Sequence, residues 1–270
     1  MTSDKTYNGI EFEYNKILDN LRDISVIAQS FITAESTSVL MQCSTDLTNI
    51  RDSTSSKTQY WGIRQSWPVI TIDSKGEYRA SAKGKRRSVY AVFSFRWGIK
   101  NSSGNGRKRT FYLVDEATTS MQVFDKETSN MVALWQMEVG DAKSPGCHFH
   151  ASMTERCDRS EIDNPGEEPT ERDDSENEKL FPGWLKVPRL PSLIVTPFDA
   201  LEFLLCELFQ NRWPQVVSEN NFHVTSWSRS QKDRLSRLLK WKLDVLQNSQ
   251  AGAWSALKLA KPHAQLFVGS

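Results

Sequence analysis

Between Trp61 and Met153 apolar residues recur at every second position, and no other feature of the 270-residue chain constrains its fold as strongly. A period of two sends alternate side chains to opposite faces of an extended strand. The pattern is clearest over 87–99. There Val89, Ala91, Phe93, Phe95, Trp97 and Ile99 point one way, and Tyr90, Val92, Ser94 and Arg96 the other. The same period predicts strands at 67–73, 77–82, 109–115, 120–124, 131–139 and 147–153. Turn residues separate them at Asp73–Gly76, Lys83–Gly84, Asn101–Gly106, Asp125–Asn130 and Gly140–Gly146. Connections this short join antiparallel neighbours, because parallel strands need long crossovers. An antiparallel meander of about six to seven strands is therefore expected.

Helical periods flank this run. Tyr14, Ile17, Leu18, Leu21, Ile24, Ala28 and Phe31 recur at steps of three and four, which predicts an amphipathic helix over 12–32. Residues 33–58 are rich in Ser and Thr and read as loop, with a short helix near Val39–Leu47. Pro182, Pro188 and Pro191 mark an extended entry segment over 182–195. Thr196-Pro197-Phe198-Asp199 then has the form of a helix start: a hydroxyl N-cap, a proline in the first turn and an acid on the positive helix end. That helix is expected to run to about Arg212. A further helix is expected from Ser228, with Gln231 as its capping-box partner, to about Gln247, and a last turn or two around Trp254–Ala260. Helix, then strands, then helices is the order of an α+β fold, with N-terminal and C-terminal helices packed on an antiparallel sheet.

Net charge divides the chain unevenly. From Glu155 to Lys179 eleven acidic residues face four basic ones, so this segment carries −7 and the remainder +8. Pro165, Gly166 and Pro169 interrupt it, and it holds almost nothing apolar. Such a segment cannot bury enough surface to offset its ordering entropy, which predicts a disordered acidic insert over 154–181. The chain is accordingly read as a helix plus sheet over 1–153, the insert, and a helical part over 182–270 that packs on the sheet within one domain. The four cysteines lie at irregular spacing with no CxxC pair, the pattern of reduced thiols in a cytoplasmic protein. No apolar stretch reaches eighteen residues, and the charged first thirty residues have no apolar core of a secretory signal. No membrane partner is expected.

Three groups of residues carry candidate chemistry. Lys83, Lys85, Arg86 and Arg87 crowd one end of strand 87–99, and Arg107, Lys108 and Arg109 crowd the hairpin at the other end, roughly 40 Å away. They bracket a sheet face that carries Tyr90, Arg96 and Tyr112. Aromatic groups between basic ends suit a single-stranded nucleic acid, its bases stacking and its phosphates paired. On the last strand, His148 and His150 share a face. Two imidazoles in parallel could hold a metal if Cys157 or His223 supplied a further ligand.

The third group is a pair of tripeptides, His150-Ala151-Ser152 and His223-Val224-Thr225, each preceded by Phe. They resemble the paired motifs of the two-histidine phosphoesterases. That resemblance implies that each imidazole acts as acid or base on a phosphodiester while Ser152 and Thr225 hold phosphate oxygens. Here an acidic segment and a helix lie between the motifs, where that family has a second lobe of strands. Ser and Thr fill 48 positions in the chain, so such tripeptides also arise by coincidence. There is no P-loop, HExxH, GxSxG or GxGxxG. The reading adopted is a non-enzymatic binding protein without cofactor, contacting nucleic acid or a protein partner in a nucleic-acid-handling complex. The alternatives are a phosphodiester hydrolase and a protein–protein scaffold.

Overall fold

The computed structural model describes residues 10–79, 86–102, 109–139, 147–153, 185–186, 190–219 and 221–260. The 147–153 strand belongs to an α+β fold built on one antiparallel sheet. Its spine is the meander β4 (Val89–Asn101), β5 (Thr110–Asp125), β6 (Met131–Val139) and β7 (Cys147–Met153). The strand β2 (Gln59–Ile63) extends it beyond β4, and β8 (Leu185–Lys186) extends it beyond β7. Three short strands complete the edges: β1 (Glu11–Glu13) on β5, β3 (Val69–Ile70) on β4, and β9 (Leu190–Pro191) on β7.

The alternation read in 87–99 is realised along β4. Val89, Ala91, Phe93, Phe95, Trp97 and Ile99 are all buried, as are the residues opposite them on β5, from Val123 and Met121 down to Leu113. The expected strands 109–115 and 120–124 are one continuous strand. A register shift between Trp97 and Ile99 absorbs the polar run Asp115-Glu116 without ending it. Turn chemistry holds as read: Lys75 and Gly76 take positive φ after Asp73, and the Asp125 carboxylate accepts from the Glu127 and Thr128 amides. The expected strand 67–73 shrinks to β3. Of 77–82, Tyr78 forms an isolated bridge with Arg87, and 80–82 lie outside the described residues.

The helices layer onto the inner face of this sheet. α1 (Tyr14–Ala28) is shorter than the expected 12–32, because Glu11–Glu13 is taken by strand β1 against Thr110–Tyr112. The Ser/Thr-rich stretch, expected as loop with a short helix near Val39–Leu47, is one longer helix, α2 (Ala34–Asp52), which contains that segment and is capped by Thr33. Hydroxyls that disfavour a helix when unpaired are satisfied inside it: Thr45 and Thr48 donate to carbonyls four residues back, and Ser36 donates to Ile70. A narrow stripe of Val39, Leu40, Cys43 and Leu47 supplies the burial. α3 (Pro197–Leu208) has the predicted Thr196 N-cap, and Asp199 goes beyond the expected dipole role by completing a capping box in which the two side chains bond each other's backbone amides. It stops at Leu208, short of Arg212. Pro214 then sits in the first turn of α4 (Trp213–Glu219), where a missing N–H costs nothing.

α5 (Asn221–Asn248) begins seven residues before the Ser228 start that the capping signal suggested, and α6 (Ala253–Leu259) closes the described chain. One contiguous core unites the inner sheet face with α1, α2 and α3. Trp61 and Phe95 meet Phe198 edge-on, and Phe31 meets Phe209. α5 lies on α1 and α3 and buries Trp227, Arg234, Leu238 and Trp241 there. The acidic stretch 155–179 lies outside the described residues.

Candidate functional site

The outer sheet face is built from the even-numbered residues of β4, β5, β6 and β7. Cross-strand partners share a face, so register places them in rows. One row runs Val92, Gln122, Leu134, Ser152; the next runs Ser94, Ser120, Gln136, His150; a third runs Gly62, Arg96, Thr118, Glu138, His148. Most of these side chains are half-exposed to exposed, and small polar groups fill the middle of the face.

Each end of this face carries a tyrosine with a cation against its ring. The Arg96 guanidinium carbon lies 4.1 Å from the centre of the Tyr60 ring, and Tyr60 is 50% exposed. Six residues along β4, Tyr90 stacks on Phe124 at 5.4 Å with 17° between the planes, and Lys126 Nζ stands 5.6 Å from the Tyr90 ring. Contacts of this kind hold an arginine or lysine over a π-face. Tyr60 is held on β2 by its neighbour Trp61, whose indole N–H donates to the Cys43 carbonyl at 2.9 Å.

The basic clusters fare differently. Lys83, Lys85, Arg107 and Lys108 lie outside the described residues. Arg86 is exposed, and Arg87 bridges Tyr78 at the Tyr90 end of the face. Arg109, at the opposite end of β4, is committed within the chain. Its Nη1 donates to Asp52 Oδ1 at 2.6 Å and to the Arg51 carbonyl at 3.2 Å. Tyr112 lies on the outer face beside Glu11; burial, then the Glu11 charge, raise its phenol pKa. Tyr90 and Arg96 thus belong to one surface, whereas Arg87 pairs with Tyr78 in the segment that leads into β4 and Arg109 is held by a carboxylate.

The two histidine motifs are not brought together. His150 is on the outer sheet face, with Nε2 3.3 Å from Glu138 Oε2. His223 is on α5, with Nδ1 2.9 Å from Asp23 Oδ1 of α1, on the far side of the sheet and its helical layer. His223 and Thr225 are also two apart on a helix and so diverge, which a strand-like reading of the tripeptide does not anticipate. His148 shares the face with His150 as its register predicts, yet it is buried, with Pro191 of β9 paired opposite it. Among the described residues no group of three or more His, Cys, Asp and Glu is placed to hold a metal ion; Cys157 lies outside them.

Sequence reading missed Tyr60, Phe124, Lys126 and Glu138 as members of this surface. Tyr60 belongs to a strand only five residues long at the very start of the period-two run, just after the Ser/Thr-rich stretch. Phe124 and Lys126 were legible in principle, because the Asp125–Asn130 turn fixes where β5 ends. The chain matches no protein-family model, and neither a curated protein nor a solved structure is significantly similar to it.

Proposed function

We propose that the protein binds single-stranded nucleic acid across the outer face of its sheet, in a reducing, cytoplasmic setting and without catalysing a reaction. The observation that carries this reading is the pair of cation-backed tyrosines, Tyr60 with Arg96 and Tyr90 with Lys126, at the two ends of a lane of half-exposed Val92, Thr118, Ser120 and Gln122. Unpaired bases stack on exposed aromatic rings of a sheet, while cations beside them meet the backbone. From Tyr90 to Arg96 the lane measures about 20 Å at the rise of a strand. That length accommodates about six nucleotides at the 3.4 Å spacing of a stacked strand, and fewer when it is stretched. A duplex cannot offer its base faces to both rings. The unpaired thiols of Cys43, Cys147 and Cys206 fit the compartment.

Fluorescence anisotropy with labelled oligonucleotides at several salt concentrations tests the proposal. Single strands should bind more tightly than duplexes of the same length. Tyr60→Ala and Tyr90→Ala should each cost about 1–3 kcal/mol, the range for one stacked base. Charge-neutralising Arg86 and Arg87 should weaken binding to all sequences and flatten its salt slope by about one to two units. Absence of binding at low salt, from folded protein free of nucleic acid, removes the proposal.

A further inference from the structure

The 28-residue helix α5 carries a second apolar surface besides the one it buries. Trp227, Arg234, Leu238 and Trp241 face α1 and α3. At 100° per residue, Leu235, Leu239, Leu243 and Leu246 form a stripe about 130° round the helix from them. Leu239, Leu243 and Leu246 are exposed, Leu243 to 53%, and Trp254 of α6 adds an indole that is 71% exposed. Four residues spaced four, four and three apart on a helix make a continuous ridge of the kind a facing helix packs against. Scattered surface leucines are ordinary, but an aligned row of them is not.

Charge tells which occupant fits. Between Arg229 and Asn248 the helix has six basic residues and two acidic ones. Arg234 is spent on Asp199, Arg237 on Asp233, and Lys242 donates to the Ser192 carbonyl. Arg229, Lys232 and Lys240 flank or continue the stripe and form no ion pair among the described residues. A second copy of this helix would set cations against cations in either orientation. Residues 261–270 include Leu266, Phe267 and Val268 but no acid, and the acidic stretch 155–179 has Ile162 as its one aliphatic residue. Neither matches both the ridge and its charge.

We propose that this ridge docks an acidic amphipathic helix of a partner protein, with leucine-type residues at steps of three and four on the ridge and Glu or Asp beside Arg229, Lys232 and Lys240. The surface lies on the helical layer and not on the tyrosine-lined sheet face, and the proposal does not depend on nucleic-acid binding.

The test uses the full chain and a synthetic 21-residue peptide with Leu at its a and d positions and Glu beside them, alongside a twin in which every Glu is Lys. The acidic peptide should bind with a micromolar Kd that weakens with salt, at least about tenfold more tightly than its twin. Leu239→Glu with Leu243→Glu should abolish binding with the melting temperature unchanged, since both sites are exposed. Lys240→Glu, which leaves the ridge intact, should weaken it and partly restore binding of the basic twin. Equal binding of the two peptides, or binding indifferent to these substitutions, overturns the proposal. So does a concentration-dependent dimer dispersed by Leu243→Glu, which identifies a second copy as the occupant. Preference for phosphatidylserine vesicles over the peptide would make the surface a lipid contact instead. Tighter peptide binding after deletion of residues 155–179 or 261–270 would place a segment of the chain there.

Discussion

The side chain of Arg234 shows how much one charged residue can hold. It is buried between α3 and α5, donates to Asp199, and lies 5.1 Å from the centre of the Trp227 ring. Asp199 is at the same time the N3 residue of the α3 capping box. Arg234→Ala leaves a buried carboxylate without its cation, a class of change that costs about 3–5 kcal/mol. Urea denaturation should show a loss in that range, and a loss under about 1 kcal/mol would mean that solvent screens the pair. Glu77 behaves differently. Burial alone would raise its pKa, but the Arg212 side chain and the Asn211 and Arg212 amides outweigh burial and hold it below the ordinary carboxylate value. A depressed pKa adds stability above the unfolded value and loses it as pH falls through the folded one. Denaturation midpoints should therefore drop on acidification below about pH 4.5, the ordinary Glu value, and Glu77→Gln should flatten that drop while lowering stability at neutral pH. An identical acid limb in wild type and variant would assign the loss to other carboxylates.

Among elements, β2 admits little change of position. A Cβ on Gly62 would lie 2.0 Å from the Phe95 carbonyl oxygen and 3.0 Å from the Arg96 Cα, both backbone atoms of the neighbouring strand. Gly62→Ala must therefore push β2 off β4, displacing Tyr60 with it. We expect a destabilisation of several kcal/mol in thermal unfolding, as for other backbone clashes, together with weakened oligonucleotide binding. A variant as stable as wild type would show that the edge strand can slide. Elements also show where sequence was and was not informative. β4, β6 and β7 were legible because half-buried strands alternate, and α3 because Thr196, Pro197 and Asp199 each satisfy a helix N-terminus in a different way. α2 was not, since its hydroxyls look like loop until Thr33 caps them and back-bonds inside the helix satisfy them. β2 was hidden because burial of Trp61 and Ile63 depends on α2 and α3, which are distant in sequence. The tyrosine face was half legible: Tyr90 and Arg96 follow from alternation, whereas Tyr60 reaches it only through a pairing that no local pattern encodes.

At the scale of the whole molecule the thiols report on packing. Burial raises the pKa of Cys43, and raises those of Cys147 and Cys206 to about 12. Thiolate, the reactive form, is scarce at all three near neutral pH. A thiol reagent at pH 8 should modify them only as fast as the protein opens, and fully in denaturant. Rapid labelling of Cys43 in the native protein would contradict the packing of α2 against β2. A last consequence follows from β1, whose partner is at the far side of the chain order: Glu11 pairs with Tyr112. The ribosome releases α1 early, with Ile17, Leu21, Ile24 and Ala28 on one side and nothing yet made for them to meet. The residues that seat β1 are reached only at Thr110–Tyr112, and α3 and α5, which pack on α1, follow later still. At about 5–20 residues per second, β1 waits roughly 5–20 seconds during synthesis, and the apolar side of α1 waits longer for α3 and α5. Nascent chains of this protein therefore carry an early demand for chaperones that the finished fold conceals.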